Sequence, residues 1–376
     1  MTSESTKTSA MKRLADPRII ELFREITVIP GLSGRERKMA DYVHSFAQRL
    51  GIEVHEDSTN TAWNGDAGNI LCPIAGGGDF VMTAHMDTPR PTIDTKVVVD
   101  DEKISSDGTT ALGVDNRAGV TVLLYTLEKI VRENIPTRGF TLGFTTCEET
   151  TLDGSTNIPL GENITKAFVF DSSMRPGNVV CESCGAIAFT ARFLGKAAHS
   201  GIAPEKGINA LLAAAKAVSA MPIGRVDGTT TVNVGMMQAG EAVNVIPAEA
   251  MIEGEVRSMD LAKVEELVAS IHALCKASAD ELGAKLVFTQ RWDFTPFRIV
   301  PEDTVYKEIH HAIEKAGLKA VPQISWGGSD ANSFNKRGIK AVNIGIGEQN
   351  PHANTEFIYL EDLQASADIA LELVRL

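Results

Sequence analysis

Short apolar runs alternate with polar loops and longer amphipathic segments along this chain. Four predominantly apolar runs have the length and composition of strands buried on both faces, at residues 79–84, 140–146, 167–170 and 341–346. Residues 121–127 have the apolar spacing of a buried helix instead. Because strand-like and helix-like runs alternate, the pattern predicts an α/β fold in which helices cover a sheet.

A different order of elements follows residue 177. Alternating strands and helices are predicted there in a βαββαβ-like series, at residues 185–193, 210–218, 229–236, 250–257, 261–282 and 285–289. This order is typical of an antiparallel sheet with helices on one face. We therefore predict an inserted α+β domain at residues 183–292, within a first domain formed by residues 1–182 and 293–376.

Five side chains that can bind metal ions lie where strand-like runs give way to loops or helices: His85, Asp115, Glu149, Asp171 and His352. In open α/β sheets, the carboxyl ends of the strands form a crevice where distant residues converge. Two imidazoles and three carboxylates exceed the usual ligand set of one catalytic zinc ion. They suit two divalent ions bridged by one carboxylate and by a water molecule, which such ions activate to hydroxide near neutral pH.

Two neighbouring carboxylates have candidate supporting roles. Glu148 is adjacent to Glu149 but is expected to point elsewhere, and it is our candidate for the general base. Asp87 is expected to accept the second ring N–H of His85 and to fix its tautomer. Each residue also has a simpler interpretation, since Asp115 taken alone is typical of a helix N-cap. The metal site is inferred from the whole set.

In order and spacing, these residues resemble the M20 family of di-metal peptidases, and within it the peptidase T branch; the motif residues are His85-Met86-Asp87, Asp115-Asn116, Glu148-Glu149, Asp171 and His352. The resemblance runs from about residue 16 to the end of the chain. It implies a mixed-sheet catalytic domain of the di-zinc exopeptidase type, with the inserted domain as a lid that forms a homodimer.

The resemblance also implies the metal assignments. His85 and Asp171 would hold one ion, and Glu149 and His352 the other. Asp115 would bridge the two ions, which would be Zn²⁺, or alternatively Mn²⁺ or Co²⁺, since these ligands suit all three. Glu148 would deprotonate the bridging water and pass the proton to the leaving amine.

Further residues are assigned by the resemblance alone. His199, in residues 195–201, would stabilise the tetrahedral oxyanion, in some family members across the dimer. Substrate contacts would come from Asn233 and Arg257 and from the glycine-rich loop at Gly327 and Gly328.

The resemblance also bears on which substrate the protein would cleave. Family members with aspartate at the position of Asp171 tend to be aminopeptidases, dipeptidases or tripeptidases, so the resemblance favours short peptides with a free amino terminus as substrates. Trp326 departs from the arginine expected in tripeptidases, which puts strict tripeptide specificity in doubt.

The composition of the chain disfavours nucleic-acid-binding, disulfide-bonded and membrane-spanning classes of protein. The formal charge of −13 disfavours a nucleic-acid partner, because phosphates would be repelled. Five cysteines in 376 residues do not form a disulfide framework, and the Cys181–Cys184 spacing has no second pair to complete a metal site. The first ten residues lack an apolar signal-peptide core, and no apolar run reaches the length of a membrane span. We expect a cytoplasmic protein.

Three functions fit the sequence. The first is a di-metal aminopeptidase, tripeptidase-like, acting on short peptides. The second is an amidohydrolase that removes the acyl group from an N-acyl amino acid, which Asp171 disfavours. The third is a metal-binding scaffold without catalysis, and the retention of Glu148 and of every proposed ligand argues against it.

Overall fold

The computed structural model describes residues 13–375. It divides into two compact units. Unit 1 contains residues 13–181, Ile299–Gln323 and 329–375, and unit 2 contains Glu182–Arg298 together with Ile324–Gly328. The chain therefore passes from one unit to the other four times.

The strands are β1 (His55–Glu56), β2 (Ile70–Ile74), β3 (Phe80–His85), β4 (Val97–Val99), β5 (Lys103–Ser106), β6 (Phe140–Thr145), β7 (Lys166–Ser172), β8 (Asn178–Ser183), β9 (Gly185–Leu194), β10 (Gly224–Asp227), β11 (Thr230–Ala239), β12 (Glu249–Ser258), β13 (Lys285–Phe294), β14 (Phe297–Arg298), β15 (Val321–Ser325), β16 (Lys340–Gly345), β17 (Glu348–Gln349) and β18 (Phe357–Tyr359).

The α-helices are α1 (Pro17–Thr27), α2 (Arg37–Arg49), α3 (Val114–Glu133), α4 (Asp153–Asn157), α5 (Ala210–Ala220), α6 (Leu261–Leu282), α7 (Thr304–Lys315), α8 (Asp330–Lys336) and α9 (Leu360–Val374). Short 3₁₀ helices lie at Thr59–Ala62 and Pro204–Lys206.

The main sheet of unit 1 is mixed. Its strand order is β1-β2-β6-β3-β7-β16-β8, and β15 also pairs with β8. The pairs β3–β6, β3–β7 and β7–β16 are parallel, whereas β2–β6 and β8–β16 are antiparallel. The four parallel strands β6, β3, β7 and β16 are central, so their carboxyl ends share one edge of the sheet.

Burial explains why the sequences of the central strands are predominantly apolar. Every residue of β3 and of β6 is buried, as expected for parallel strands covered on both faces. Aromatic packing links them, since the Phe80 ring lies 5.9 Å from that of Phe140 and 5.5 Å from that of Phe168. Helices α1, α3 and α9 pack together, and α3 also contacts β3.

Helix ends in unit 1 follow from local sequence. The carboxylate of Asp16 caps α1 by accepting a hydrogen bond from the backbone N–H of Arg18, and Pro17 occupies the first turn. Helix α3 begins at Val114, and Asp115 and Asn116 have non-helical dihedral angles. A separate sheet with the order β17-β18-β5-β4 lies in the same unit.

Unit 2 is an α+β layer structure. Its sheet has the order β10-β11-β12-β9-β13, and each of these pairs is antiparallel. Helices α5 and α6 pack on each other and on β9 and β12, around a buried core that includes Phe189, Phe193, Ile252 and Ile271. Helix α6 is capped by Asp260 at its start and is followed by Gly283, whose positive φ of 72° suits glycine.

Two details of unit 2 differ from the sequence-based expectation. A short edge strand, β10, precedes β11, so the order is βαβββαβ rather than βαββαβ. The unit also extends beyond residue 292 to Arg298, because β14 pairs with Glu182 and Ser183. The segment Ile324–Gly328 joins it as well, where the Cys184 backbone N–H donates to the Ser325 carbonyl oxygen.

The residues described include no helix with both the length and the apolar character that crossing a bilayer requires.

We predict that Gly254→Ala destabilises unit 2. An added Cβ at Gly254 would lie 2.4 Å from the Asn233 carbonyl oxygen and 2.5 Å from the Phe189 ring. Such overpacking should lower the free energy of unfolding by about 1–3 kcal/mol. Gly235→Ala on the neighbouring strand is the matched control, since its nearest atom would be 3.5 Å away. Urea unfolding of both variants checks this, and equal stabilities would contradict the packing.

Candidate metal centre

The carboxyl edge of the parallel strands carries the candidate ligands. His85 is the last residue of β3, and Asp171 is the last but one of β7. Glu149 lies in the turn after β6, and Asp115 lies in the distorted first turn of α3. His352 follows β17, with a positive φ of 66°. All five come from different segments of unit 1 and converge there.

Two groups of ligand atoms share Asp115. In the first, His85 Nε2 lies 2.9 Å from Asp115 Oδ1 and 3.0 Å from Asp171 Oδ1. In the second, His352 Nε2 lies 3.2 Å from Asp115 Oδ2 and 3.2 Å from Glu149 Oε2. Within each group, the ligand atoms are all within 4.8 Å of one another. Asp115 thus presents one carboxylate oxygen to each group.

Asp87 is completely buried and connects several parts of the centre. Its carboxylate accepts hydrogen bonds from the backbone N–H groups of Glu148 and Glu149, at 3.1 and 3.2 Å, and from the Ser33 hydroxyl at 2.7 Å. His85 Nδ1 lies 3.3 Å from Asp87 Oδ1 and 3.1 Å from the Asp87 carbonyl oxygen. One carboxylate therefore orients both the His85 ring and the turn that carries the two glutamates.

Asn116 and Glu356 hold the region around Asp115. The Asn116 amide donates to Asp171 Oδ1 at 2.7 Å and to the Phe170 carbonyl oxygen at 2.9 Å. Glu356 accepts hydrogen bonds from the backbone N–H groups of Gly113 and Val114, at 2.6 and 3.3 Å. The peptide bond between Asp115 and Asn116 is cis.

Glu148 lies beside the first group of ligand atoms, with Oε2 3.9 Å from His85 Nε2. Glu148 and Glu149 belong to a turn rather than to extended backbone. Their side chains therefore differ in direction because of the turn and not because of the alternation of a strand. Burial, and then the charge of Asp171, raise the pKa of Glu148 well above its ordinary value.

The electrostatics of the centre favour bound cations. Burial raises the pKa of Asp171 to about 7, with a further contribution from Asp115, although His85 opposes the shift. The pKa of Asp115 moves the other way, to about 2, because hydrogen bonds from His352 and His85 outweigh burial. Hydrogen bonds to Asp115 and Glu149 raise the pKa of His352 to about 10. Cations would relieve the repulsion among these buried carboxylates.

The donor set fits two divalent ions. Each group offers one imidazole nitrogen and two carboxylates, ligands that suit Zn²⁺, Mn²⁺ and Co²⁺. Glu149 Oε1 is buried and has no hydrogen-bond partner among residues 13–375, so it retains a free coordination position. The first group would hold one ion, and the second group would hold the other.

The remaining sequence-derived candidates lie in unit 2. His199 is exposed in the loop after β9, where its Nδ1 accepts a 3.2 Å hydrogen bond from the Gly201 backbone N–H. Asn233 is exposed on β11. Arg257 on β12 makes two 3.0 Å hydrogen bonds to the Glu255 carboxylate and donates to the Trp326 carbonyl oxygen at 2.6 Å. Gly327 and Gly328 belong to the segment that returns to this unit.

Three further carboxylates near the metal centre were not singled out from the sequence: Asp330, Glu348 and Glu356. Each is nearly inaccessible to solvent and has one oxygen without a hydrogen-bond partner in the described part of the chain. Asp330 lies two residues after Gly328, and its other oxygen accepts from the Thr145 hydroxyl at 2.6 Å. Glu348 precedes His352 by four residues, which was the only sequence signal available for it.

Comparisons with known proteins match both units. The family model of the M20 peptidase dimerisation domain matches residues 181–282. A model of M42 glutamyl aminopeptidases matches residues 92–186, which carry Asp115, Glu148, Glu149 and Asp171. The Bacillus subtilis protein YqjE, described as uncharacterized, is 30% identical over 363 residues, which covers 96% of this chain and 98% of YqjE.

Two solved structures share this fold at the same level of identity. The aminopeptidase PepT from Bacillus cereus is 30% identical, with a TM-score of 0.88 over 96% of this chain and 98% of its own. A tripeptidase from Staphylococcus aureus is also 30% identical, with a TM-score of 0.91 over 96% and 99% of the two chains. The chain belongs to the M20 family of metallopeptidases. The resemblance seen in its sequence, including that to peptidase T, is thereby confirmed.

Family membership also clarifies the architecture. The mixed α/β fold expected from the sequence is confirmed, and the M20 dimerisation domain falls almost entirely within unit 2. His199, Asn233 and Arg257 are thus residues of the dimerisation domain, whereas the metal-ligand groups belong to unit 1.

We predict that Asp115→Ala abolishes binding of both metal ions, because Asp115 is the only residue common to the two ligand groups among those described. Glu133→Ala, at the exposed end of the same helix, is the control and should bind metal like the unchanged protein. Equilibrium dialysis followed by elemental analysis measures the stoichiometry. If Asp115→Ala retained two equivalents of Zn²⁺ with unchanged affinity, the shared-ligand assignment would be wrong.

Proposed function

We propose that this M20 peptidase is a two-metal aminopeptidase that removes the first residue from short peptides. The observation that carries the proposal is the pair of ligand groups sharing Asp115, with the largely buried Glu148 carboxylate beside them. Two divalent ions bound there would polarise the carbonyl of the scissile bond and lower the pKa of the attacking water.

In this proposal, Glu148 moves the proton. Its carboxylate accepts a proton from the attacking water and then donates it to the nitrogen of the leaving amine. Because its pKa is raised, the Glu148 carboxylate is a stronger base than an ordinary glutamate. Asp87 keeps Glu148 in place through the hydrogen bond to its backbone N–H.

The substrate class is inferred from the relatives and from residue 171. The two similar solved structures are described as an aminopeptidase and a tripeptidase, and both align over nearly the whole chain. Position 171 holds aspartate rather than glutamate, which agrees with the sequence-based expectation of a substrate with a free amino terminus. A short peptide is therefore the proposed substrate.

We also propose that the protein acts as a homodimer formed through unit 2, because the M20 dimerisation model matches that unit. In this arrangement, His199 would stabilise the oxyanion, and Asn233, Arg257, Gly327 and Gly328 would contact the peptide. Arg257 is already paired with Glu255, so binding a substrate carboxylate would require it to exchange that partner.

We predict that Glu148→Ala retains both metal ions and loses turnover. Removing the proton carrier should lower kcat by about 10²–10⁴-fold, whereas the ligand groups do not include Glu148. Elemental analysis and steady-state kinetics test this together, with Glu133→Ala as the control. A Glu148→Ala protein with full activity would refute the proposed role.

We further predict the substrate profile of the protein. After chelation and reloading with Zn²⁺, Mn²⁺ or Co²⁺, it should cleave Ala-Ala and Ala-Ala-Ala but not N-acetyl-Ala-Ala-Ala. Activity should be absent without metal, because the ligand groups then hold no cation. Cleavage restricted to an N-acetyl amino acid would identify a deacylase instead, and a metal-loaded protein that cleaves none of these substrates would contradict the proposal.

A further inference from the structure

Glu348 is a buried acidic residue that the proposed mechanism does not use. It is 2% exposed, and its Oε1 has no hydrogen-bond partner among residues 13–375. An isolated buried carboxylate is costly because it has lost its hydration without gaining a partner. Such a group is therefore a candidate to bind something that the chain itself does not supply.

The backbone places Glu348 at the carboxyl edge of the main sheet. Strand β16 runs parallel to β7, and its extension continues this pairing where the Ile346 backbone N–H donates to the Ser172 carbonyl oxygen at 2.9 Å. Gly347 donates in the same way to the Met174 carbonyl oxygen. Glu348 thus follows directly after the segment that runs beside Asp171.

The electrostatic surroundings of Glu348 agree with this placement. Burial, and then the charges of Asp115 and Asp171, raise the pKa of Glu348 well above its ordinary value. Glu149 adds to this rise and His85 opposes it, and all four of these residues are proposed metal ligands. Glu348 nevertheless belongs to neither group of ligand atoms found in the described residues. Glu348 thus interacts electrostatically with the proposed ligands but is not one of them.

We propose that Glu348 binds the α-ammonium group of the substrate and thereby selects peptides with a free amino terminus. This inference rests on the proposed aminopeptidase function. An ammonium group has three N–H donors and a positive charge, which match a buried carboxylate that lacks a donor. In the first residue of a peptide, the α-nitrogen lies only about 2.5 Å from the carbonyl carbon that is attacked. Its binding group must therefore lie next to the metal ligands.

Two other buried carboxylates are less suited to this role. Glu356 is occupied by the backbone N–H groups of Gly113 and Val114, which it caps at the start of α3. Asp330 accepts a hydrogen bond from Thr145 and begins α8. Each of these two also has one buried oxygen without a partner among residues 13–375, as Glu348 has, but its other oxygen is already held by the chain.

The test compares Ala-Ala-Ala with propionyl-Ala-Ala, which has the same shape but lacks the α-amino group. Binding of both to the Zn²⁺-loaded full chain is measured by calorimetry in the Glu148→Ala background, where turnover is suppressed. The background should bind Ala-Ala-Ala about 10- to 100-fold more tightly than propionyl-Ala-Ala. Adding Glu348→Gln, which keeps the shape and removes the charge, should abolish this preference without changing metal content.

Glu356→Gln is the matched control, since it removes a charge from an equally buried carboxylate near Asp115. It should keep the preference for the free amino terminus even if both affinities fall. Steady-state kinetics in the protein that retains Glu148 should show that Glu348→Gln raises KM for Ala-Ala-Ala.

Each remaining outcome has a defined meaning. If the preference persists in Glu348→Gln, this assignment is overturned while the aminopeptidase proposal stands. Loss of metal from Glu348→Gln would make the residue a metal ligand and would also overturn the assignment. If the metal-loaded background binds neither peptide and the active protein cleaves neither, the proposed function itself fails. Melting temperatures of the variants separate these outcomes from misfolding.

Discussion

Repulsion among buried carboxylates at one edge of a sheet is the constraint on which this structure depends. The chain offsets part of it with histidines and part with backbone N–H groups, as Asp87 and Glu356 show. The charge that remains uncompensated is concentrated at Asp171, Glu148 and Glu348, whose pKa values all rise. A polypeptide maintains such an arrangement at a cost in stability, and bound cations recover that cost.

Much of the architecture followed from the sequence because parallel strands have a simple signature. The runs at β3, β6, β7 and β16 are predominantly apolar because both faces are covered, and their ends mark one edge of the sheet. Residues at those ends, such as His85 and Asp171, could be placed together without knowing any contact. Most of the antiparallel sheet of unit 2 was also predicted, since strands such as β9 alternate between buried and more exposed residues along much of their length.

What the sequence did not reveal depends on contacts between distant segments. The three hydrogen bonds to Asp87 come from residues 54, 61 and 62 positions away, and local spacing carries no trace of them. Glu348 has the same limitation, because one glutamate near the end of a strand is ordinary until its burial is known. Strand β10 was missed because its four residues are all exposed, which leaves no alternation to detect.

Unit 2 is formed by two separate segments of the chain, and this limits how it can be produced as a fragment. Its sheet is complete by Phe294, but Ile324–Gly328 is synthesised later, after helix α7 of the other unit. A fragment ending at Arg298 would lack the carbonyl oxygen of Trp326, to which Arg257 and Cys184 both donate. A single continuous fragment of the chain therefore does not contain the whole of unit 2. Gene fusions or domain exchanges in this chain must carry two separate segments.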